Sequence, residues 1–335
     1  MAEKGVLNIY DIAKAAGVSI ATVSRALSGA ENVRPATRQR VLDVVEKTKY
    51  TPNAFARGLG LGSMKMVGIL CTDVSDPFYA RAVSMLEREL RRLGLDALLY
   101  CTGSNIEDKQ RYTSHLLAKH VDSIVLVGSA FKEQTDNSHI ETAARQVPVV
   151  IINGLVECVN TYCVLCDEQQ AMYDNVCLLH RHGCNNIAVL YHAASYSSAQ
   201  KLAGYHDALC HCGLAQSDKL AAYCDKTCES AEKVCLDLLE RYPEIDAIVT
   251  AEDLLAVGAG KALSKLCRSL PVIGFDNSVF SVCATPAITS VDNMLEDMCI
   301  TAAGILSTVL AGNCAPNKTL LQAKLVERET FRISK

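Results

Sequence analysis

"IYDIAKAAGVSIATVSRALSG", residues 9–29, sets two short amphipathic segments on either side of a single glycine. From Asp11 to Ala16 the spacing is helical, with Ile9, Ile12 and Ala13 on one side and Lys14 opposite. Gly17 follows, where a left-handed residue closes a helix without steric penalty. Ser19 then stands as an N-cap whose hydroxyl can satisfy a free amide near Thr22. The second segment runs to about Leu27 and turns Val23 and Leu27 inward. Ala13 is small where the helices would cross, and Val23 plugs their shared core. These are helix-turn-helix spacings, in which the second helix enters the major groove of a duplex.

"RPATRQRVLDVVEKTKY", residues 34–50, begins with Pro35 at a helix start and continues with Val41, Leu42 and Val44/Val45 at core spacing, which predicts a third, bracing helix. Charge separates at about the same place. The first sixty residues hold nine Lys and Arg against five Asp and Glu, a net +4; the whole chain is −4, so the other 275 residues carry −8. A basic head on an acidic body is the charge signature of a nucleic-acid module joined to something else.

At 335 residues, half of them hydrophobic, the chain can bury two or three cores. No apolar run reaches the roughly 18 residues of a membrane span, and "MAEKGVLNIYD" lacks the apolar centre of a secretion signal. A cytoplasmic protein without membrane partners is the expectation. The sixteen cysteines then read as reduced thiols. "CVLC" (Cys163, Cys166) lies in a strand-like run whose spacing sends the two side chains to opposite faces. "CHC" (Cys210–Cys212) and Cys224/Cys228 lack a second ligand pair at zinc-finger spacing, so neither a metal nor a cofactor is expected.

From Met66 the pattern becomes alternating strands and helices. Strand-like runs are "VGILC", "DALLYC", "SIVLVG", "VPVVIIN", "IAVLY", "DAIVTA" and "LPVIGFD". Between them lie helical stretches such as Phe78–Leu93, with Phe78, Ala82, Leu86, Leu90 and Leu93 on one face. Such an order predicts parallel sheets covered on both sides, and a second series beginning near Tyr162 predicts two similar subdomains. No GxGxxG joins a strand to a helix, and neither GxxxxGK[ST] nor GxSxG occurs. No nucleophile–base pair stands out, so an enzyme is not the favoured reading, although an α/β enzyme with a DNA-binding head stays open.

Together, residues 9–29, "VRPATRQRVLDVVEKTKYTPNAFARGLG" (33–60) and "MVGILCTDVSDPFYARAV" (66–83) resemble the lactose repressor/galactose repressor family of bacterial transcription regulators. The resemblance covers essentially the whole chain and is most specific over the first sixty residues. It implies an all-α helix-turn-helix headpiece (1–52), a hinge helix (53–62), and an α/β two-lobed periplasmic-binding-protein-like body with parallel sheets. The first lobe would take 63–162 and 293–322, the second 163–292 and 323–335. Ile20, Ala21 and Arg25 match base-reading positions: Arg25 can grip guanine with two bonds, and Ile20 and Ala21 can meet a thymine methyl. Tyr10, Ser19, Thr22 and Ser24 match phosphate-binding positions. Asn53, Ala56 and Leu59 match the minor-groove segment, with Leu59 as the wedge.

For the body, the resemblance implies a small-molecule effector held by Asp73, Phe78, Asn153, Lys201, Glu252 and Asp276. Here the chain departs from the family pattern. Asp76 and Glu252 replace common asparagines, Asn153 replaces a frequent aspartate, and Lys201 replaces an arginine whose planar fork it cannot reproduce. Glu168 adds a further carboxylate. An acid-rich cleft set against Lys201 predicts a donor-rich effector: a polyol, an amino sugar or another amine. The whole implies a homodimeric repressor on a pseudo-palindromic operator, with a body that has lost sugar binding as the alternative.

Overall fold

The computed structural model describes residues 7–27, 32–50, 63–192, 195–215 and 218–333. In the head, α1 (Ile9–Ala16) starts earlier than its apolar spacing alone predicts, because Asn8 and Asp11 form a reciprocal cap. The Asn8 side chain accepts the Tyr10 N–H at 2.9 Å, and Asp11 Oδ2 accepts the Asn8 N–H at 2.9 Å. Gly17 closes α1 at φ +63°, as predicted. Ser19 Oγ accepts the Thr22 N–H at 3.2 Å and opens α2 (Ile20–Leu27). α3 (Pro35–Thr48) begins on its proline. Ile12, Val23 and Val41 are fully buried at the centre of the three helices. Leu42 departs from the sequence reading and stays 39% exposed, since α3 turns Val44 and Val45 inward instead. Asn53, Ala56 and Leu59 lie outside the described residues.

Contacts divide the chain into two units, one reaching to Met66 with His120–Asp122 and the other holding Val67–Lys119 and Ser123–Lys335. The second unit is built on two six-stranded sheets. The first comprises β1 (Met66–Cys71), β2 (Asp96–Cys101), β3 (Ser123–Val127), β4 (Val149–Ile152), β5 (Thr161–Cys166) and β11 (Lys318–Leu321), in the order β11-β5-β4-β3-β1-β2. The second comprises β6 (Ile187–Tyr191), β7 (Ala221–Tyr223), β8 (Ala247–Thr250), β9 (Val272–Phe275), β10 (Thr289–Asp292) and β12 (Lys324–Val326), in the order β12-β10-β9-β8-β6-β7. The central pairings are parallel, while β12 runs antiparallel on β10. Central strands such as β3 and β4 are buried along their whole length, as both-face coverage requires. The edge strand β2 is largely exposed, unlike the apolar "DALLYC" reading.

The helices are α4 (Pro77–Arg92), α5 (Ile106–Ala118), α6 (Ser138–Ala144), α7 (Glu168–Arg181), α8 (Tyr196–His211), α9 (Cys228–Arg241), α10 (Asp253–Lys265), α11 (Val279–Cys283) and α12 (Leu295–Leu310). In α4, Ala82, Leu86 and Leu90 are buried as predicted, whereas Leu93 lies past the helix end and is 42% exposed. The strand run containing Cys163 and Cys166 is β5, which pairs with β4 in the first sheet. The chain therefore leaves the first sheet after Cys166, not at 162/163. It returns between β10 and α12, which packs on the first core, and crosses again between β11 and β12.

α7 and α8 pack closely because α8 carries Gly204 against the Gln169 carbonyl of α7, where an added Cβ would overlap the oxygen. Gly204→Ala should therefore cost about 1–3 kcal/mol through overpacking, read from the urea midpoint. An unchanged midpoint would contradict this close approach.

Candidate functional site

On α2, Ile20, Ala21, Ser24 and Arg25 recur at the i, i+1, i+4, i+5 spacing of a single face, opposite the buried Val23 and Ala26. Ile20, Ala21 and Arg25 are exposed, and Thr22 and Ser24 are half-buried. Tyr10, at the first turn of α1, is 67% exposed. The Thr22 hydroxyl lies 2.9 Å from Ser19 Oγ, so these two residues also fix the start of α2. The head thus presents an apolar pair and a guanidinium from a rigid helix, flanked by hydroxyls. That combination suits base edges and phosphates.

In the body, a cavity of about 750 Å³ opens between the two sheets' carboxyl ends. Ligands of α/β proteins bind at such strand ends, and this volume lies in the usual range for small-molecule sites. Asp73, Phe78, Glu252 and Asp276 line it, as do Asp76 and Asp253. Its apolar wall is Pro77, Leu254, Val279, Phe280 and Leu295 beside Phe78, and its cations are Arg81 and Lys226.

Asn153 and Lys201 do not line this cavity. Lys201 is buried; its Nζ donates to the Ala251 carbonyl at 2.9 Å, lies 3.4 Å from Glu168 Oε1 and sits 4.0 Å from the centroid of the Phe275 ring. Glu168 Oε1 also accepts from Asn153 Nδ2 at 3.1 Å. Asn153 Oδ1 is buried with no donor among the described residues. Burial lowers the Lys201 pKa, but the Glu168, Asp276 and Glu252 carboxylates together raise it above the ordinary value. Lys201 is a charged strut beneath the cleft, not the opposing cation in it.

The cation that meets the cleft carboxylates is Lys226, which the sequence reading missed. Its Nζ lies 2.7 Å from Asp76 Oδ2 and 2.8 Å from both Glu252 oxygens. Asp76 is the N-cap of α4, with Oδ1 accepting the Phe78 N–H at 2.9 Å. Glu252 stands at the N-terminus of α10, and its Oε1 is also 2.5 Å from His192 Nε2. The helix N-terminus at Glu252 favours its carboxylate as an anion. Burial pushes Glu252 up, but His192 and Lys226 pull it down to about 2.

The other acids are engaged too. Asp253 accepts from Ser278 N–H and Ser290 Oγ, each at 2.6 Å, and burial still raises its pKa. Asp73 is exposed and held low by the Ser75 amide and hydroxyl. Asp276 sits at φ +96°, a region disfavoured for side-chain-bearing residues, and accepts from Asn293 Nδ2 at 2.9 Å. Burial raises its pKa to about 7, against the pull of Lys201.

A helix-turn-helix head joined to a two-lobed body with an interlobe cleft defines a DNA-binding regulator with a small-molecule-binding domain. Residues 8–53 match the profile of bacterial regulatory proteins of the lacI family, and residues 64–308 match that of periplasmic binding proteins and the sugar-binding domain of the LacI family. A transcriptional regulator of Lachnoclostridium phytofermentans is 45% identical over 97% of this chain and 99% of its own. The solved Lac repressor dimer bound to operator and an anti-inducer superposes with TM-score 0.86 at 22% identity, covering 97% of this chain and 99% of that one. The regulator CelR in complex with cellobiose gives 0.72 at 26% identity, covering 97% and 100%. The chain belongs to the LacI family of bacterial transcription regulators. Among the described residues no helix is long and apolar enough to cross a membrane.

The cleft carries a pH signature. Unfolded, Asp276 returns to an ordinary value near 3.8, so between there and about 7 the folded state binds the extra proton. Its contribution to stability is full below 3.8 and is lost as pH rises through about 7. Glu252 acts oppositely: its contribution is present above its ordinary 4.5 and is lost as pH falls through about 2, outside the range from 5 to 8. Asp276→Asn, which can keep the Asn293 bond, should gain thermal midpoint relative to the parent as pH rises from about 5 to 8. Parallel melting curves across that range would contradict the shift.

Proposed function

We propose that two copies of this chain read a pseudo-palindromic operator, repress transcription there, and respond to an uncharged polyhydroxy effector in the cleft, a sugar or polyol. The exposed face of α2 carries the DNA part of this reading. Arg25 reads guanine, Ile20 and Ala21 meet base edges, and Tyr10, Ser19, Thr22 and Ser24 hold phosphates. Asn53, Ala56 and Leu59 enter the minor groove, with Leu59 opening the central base step. A twofold dimer sets two recognition helices about one DNA turn apart. Work on DNA places the protein in the cytoplasm.

The engagement of the cleft acids carries the effector part. Asp76 and Glu252 already share an ammonium, Asp253 and Asp73 have their own donors, and Asp276 favours a proton near neutrality. The amine that the acid count favoured would have to compete with Lys226. An anion would meet a surplus of carboxylates, with Lys226 already committed to two of them and Arg81 as the other cation. A neutral ring has an apolar wall in Phe78, Phe280 and Leu295 and polar groups around it. The relative solved with cellobiose supports the same ligand class. Asp73, Phe78, Glu252 and Asp276 contact the ligand in this reading, while Asn153 and Lys201 brace the floor beneath it. Effector binding changes the lobe arrangement and hence the spacing of the two hinge segments; a coupling of about 1–3 kcal/mol gives a several-fold to hundredfold change in operator affinity.

Selection of bound sequences from a random DNA pool, with and without neutral mono- and disaccharides, tests the whole. A palindromic consensus whose recovery changes with one sugar is the expected outcome. A pool with no consensus would overturn the operator reading, and a consensus indifferent to every sugar would overturn the effector reading. Within that consensus, Arg25→Ala should relax preference at one base per half-site and cost on the order of 1–3 kcal/mol. Unchanged preference would remove Arg25 from the base-reading set.

A further inference from the structure

Lys226 lies between the end of β7 and Thr227, the N-cap of α9, so its backbone belongs to the second lobe. Its ammonium meets carboxylates from both lobes: Asp76 Oδ2 from the first, at 2.7 Å, and Glu252 of its own, at 2.8 Å. Both acceptors are stiff. Asp76 is fixed by capping α4, and Glu252 by His192. Each carboxylate side chain is less than a fifth exposed, and Lys226 is 36% exposed at the cavity wall. The backbone connects the lobes only through hinge crossings, so contacts across the cleft decide how far it opens.

We propose that Lys226 is a built-in interlobe clamp, a tethered ammonium that closes the cleft before any effector arrives. Without it, Asp76 and Glu252 face one another as like charges at the two helix starts and push the lobes apart. With it, the ligand-free body rests closed. An effector acts by changing the balance around this bridge, and the bridge also denies that position to a ligand cation. The clamp concerns the regulation of the proposed effector site and takes its consequence from that reading, but its own test needs no ligand.

The test uses the full ligand-free chain. Lys226→Met removes the ammonium at similar side-chain length. Asp76→Asn removes the first-lobe charge and retains a good capping residue. Both variants should raise hydrogen exchange tenfold or more in the first turns of α4 and α10 and enlarge the radius of gyration seen by X-ray scattering. Exchange in the central strands β3 and β8 should stay at parental rates, which reports an intact fold. Lys226→Arg should restore slow exchange, and the double variant should exchange no faster than the faster single one. Exchange within twofold of the parent in both single variants, with unchanged scattering, would overturn the clamp. Sugar titration of the same proteins reads the effector site separately: opening without sugar binding leaves the clamp standing and removes the ligand.

Discussion

A carboxylate removed from water needs a counter-charge, hydrogen-bond donors or a proton, and the body of this protein sets its acids around one cleft under that demand. Leaving such a group unpaired costs several kcal/mol. Each acid meets the demand in its own way. Asp76 and Glu252 share Lys226, and Glu168 takes Lys201 and Asn153. Asp253 takes two serines, and Asp276 holds a proton to about neutral pH. Solvent screens part of the attraction at Lys226, whose side chain is 36% exposed, but its two carboxylate partners are less than a fifth exposed and face one another without it. Its importance is geometric, because its partners belong to different lobes.

The topology makes that geometry matter. Two parallel sheets end at the cleft, and helices α4 and α10 begin there, so dipoles and capping residues converge on one cavity. Hinge crossings at Cys166–Glu168, Asp292–Leu295 and Leu321–Lys324 carry the chain between the lobes. The three-helix head has a much smaller core, centred on Ile12, Val23 and Val41. A domain of that size buries a low fraction of its surface and is stabilised by few contacts, so its caps at Asn8 and Ser19 and its turn at Gly17 carry weight.

Local signals were legible in the sequence. Gly17, Ser19 and Pro35 mark helix boundaries by chemistry acting within a few residues, and the central strands read as unbroken apolar runs. What depends on distant partners was not. Leu42 and Leu93 fit a helical stripe yet lie exposed, because stripe width and helix end are set by packing. β5 looked like the start of a second series, although its register is to β4. β7 is three residues long and half exposed, too short to register as a strand, so the loop after it and Lys226 went unmarked. For Lys201 the resemblance fixes only a Cα position, whereas the direction of its long flexible side chain is decided by Glu168, Ala251 and Phe275. The carboxylates were countable, but their partners were not, and the partners decide what the cleft accepts.

The acids of the cleft thus already have their partners within the protein. Calorimetric titration with one sugar that the chain binds, its amino derivative and its acid derivative, all of the same stereochemistry, tests this most directly. The neutral sugar should bind at least tenfold more tightly than either charged analogue. Tightest binding of the amino sugar, or of the acid, would contradict it.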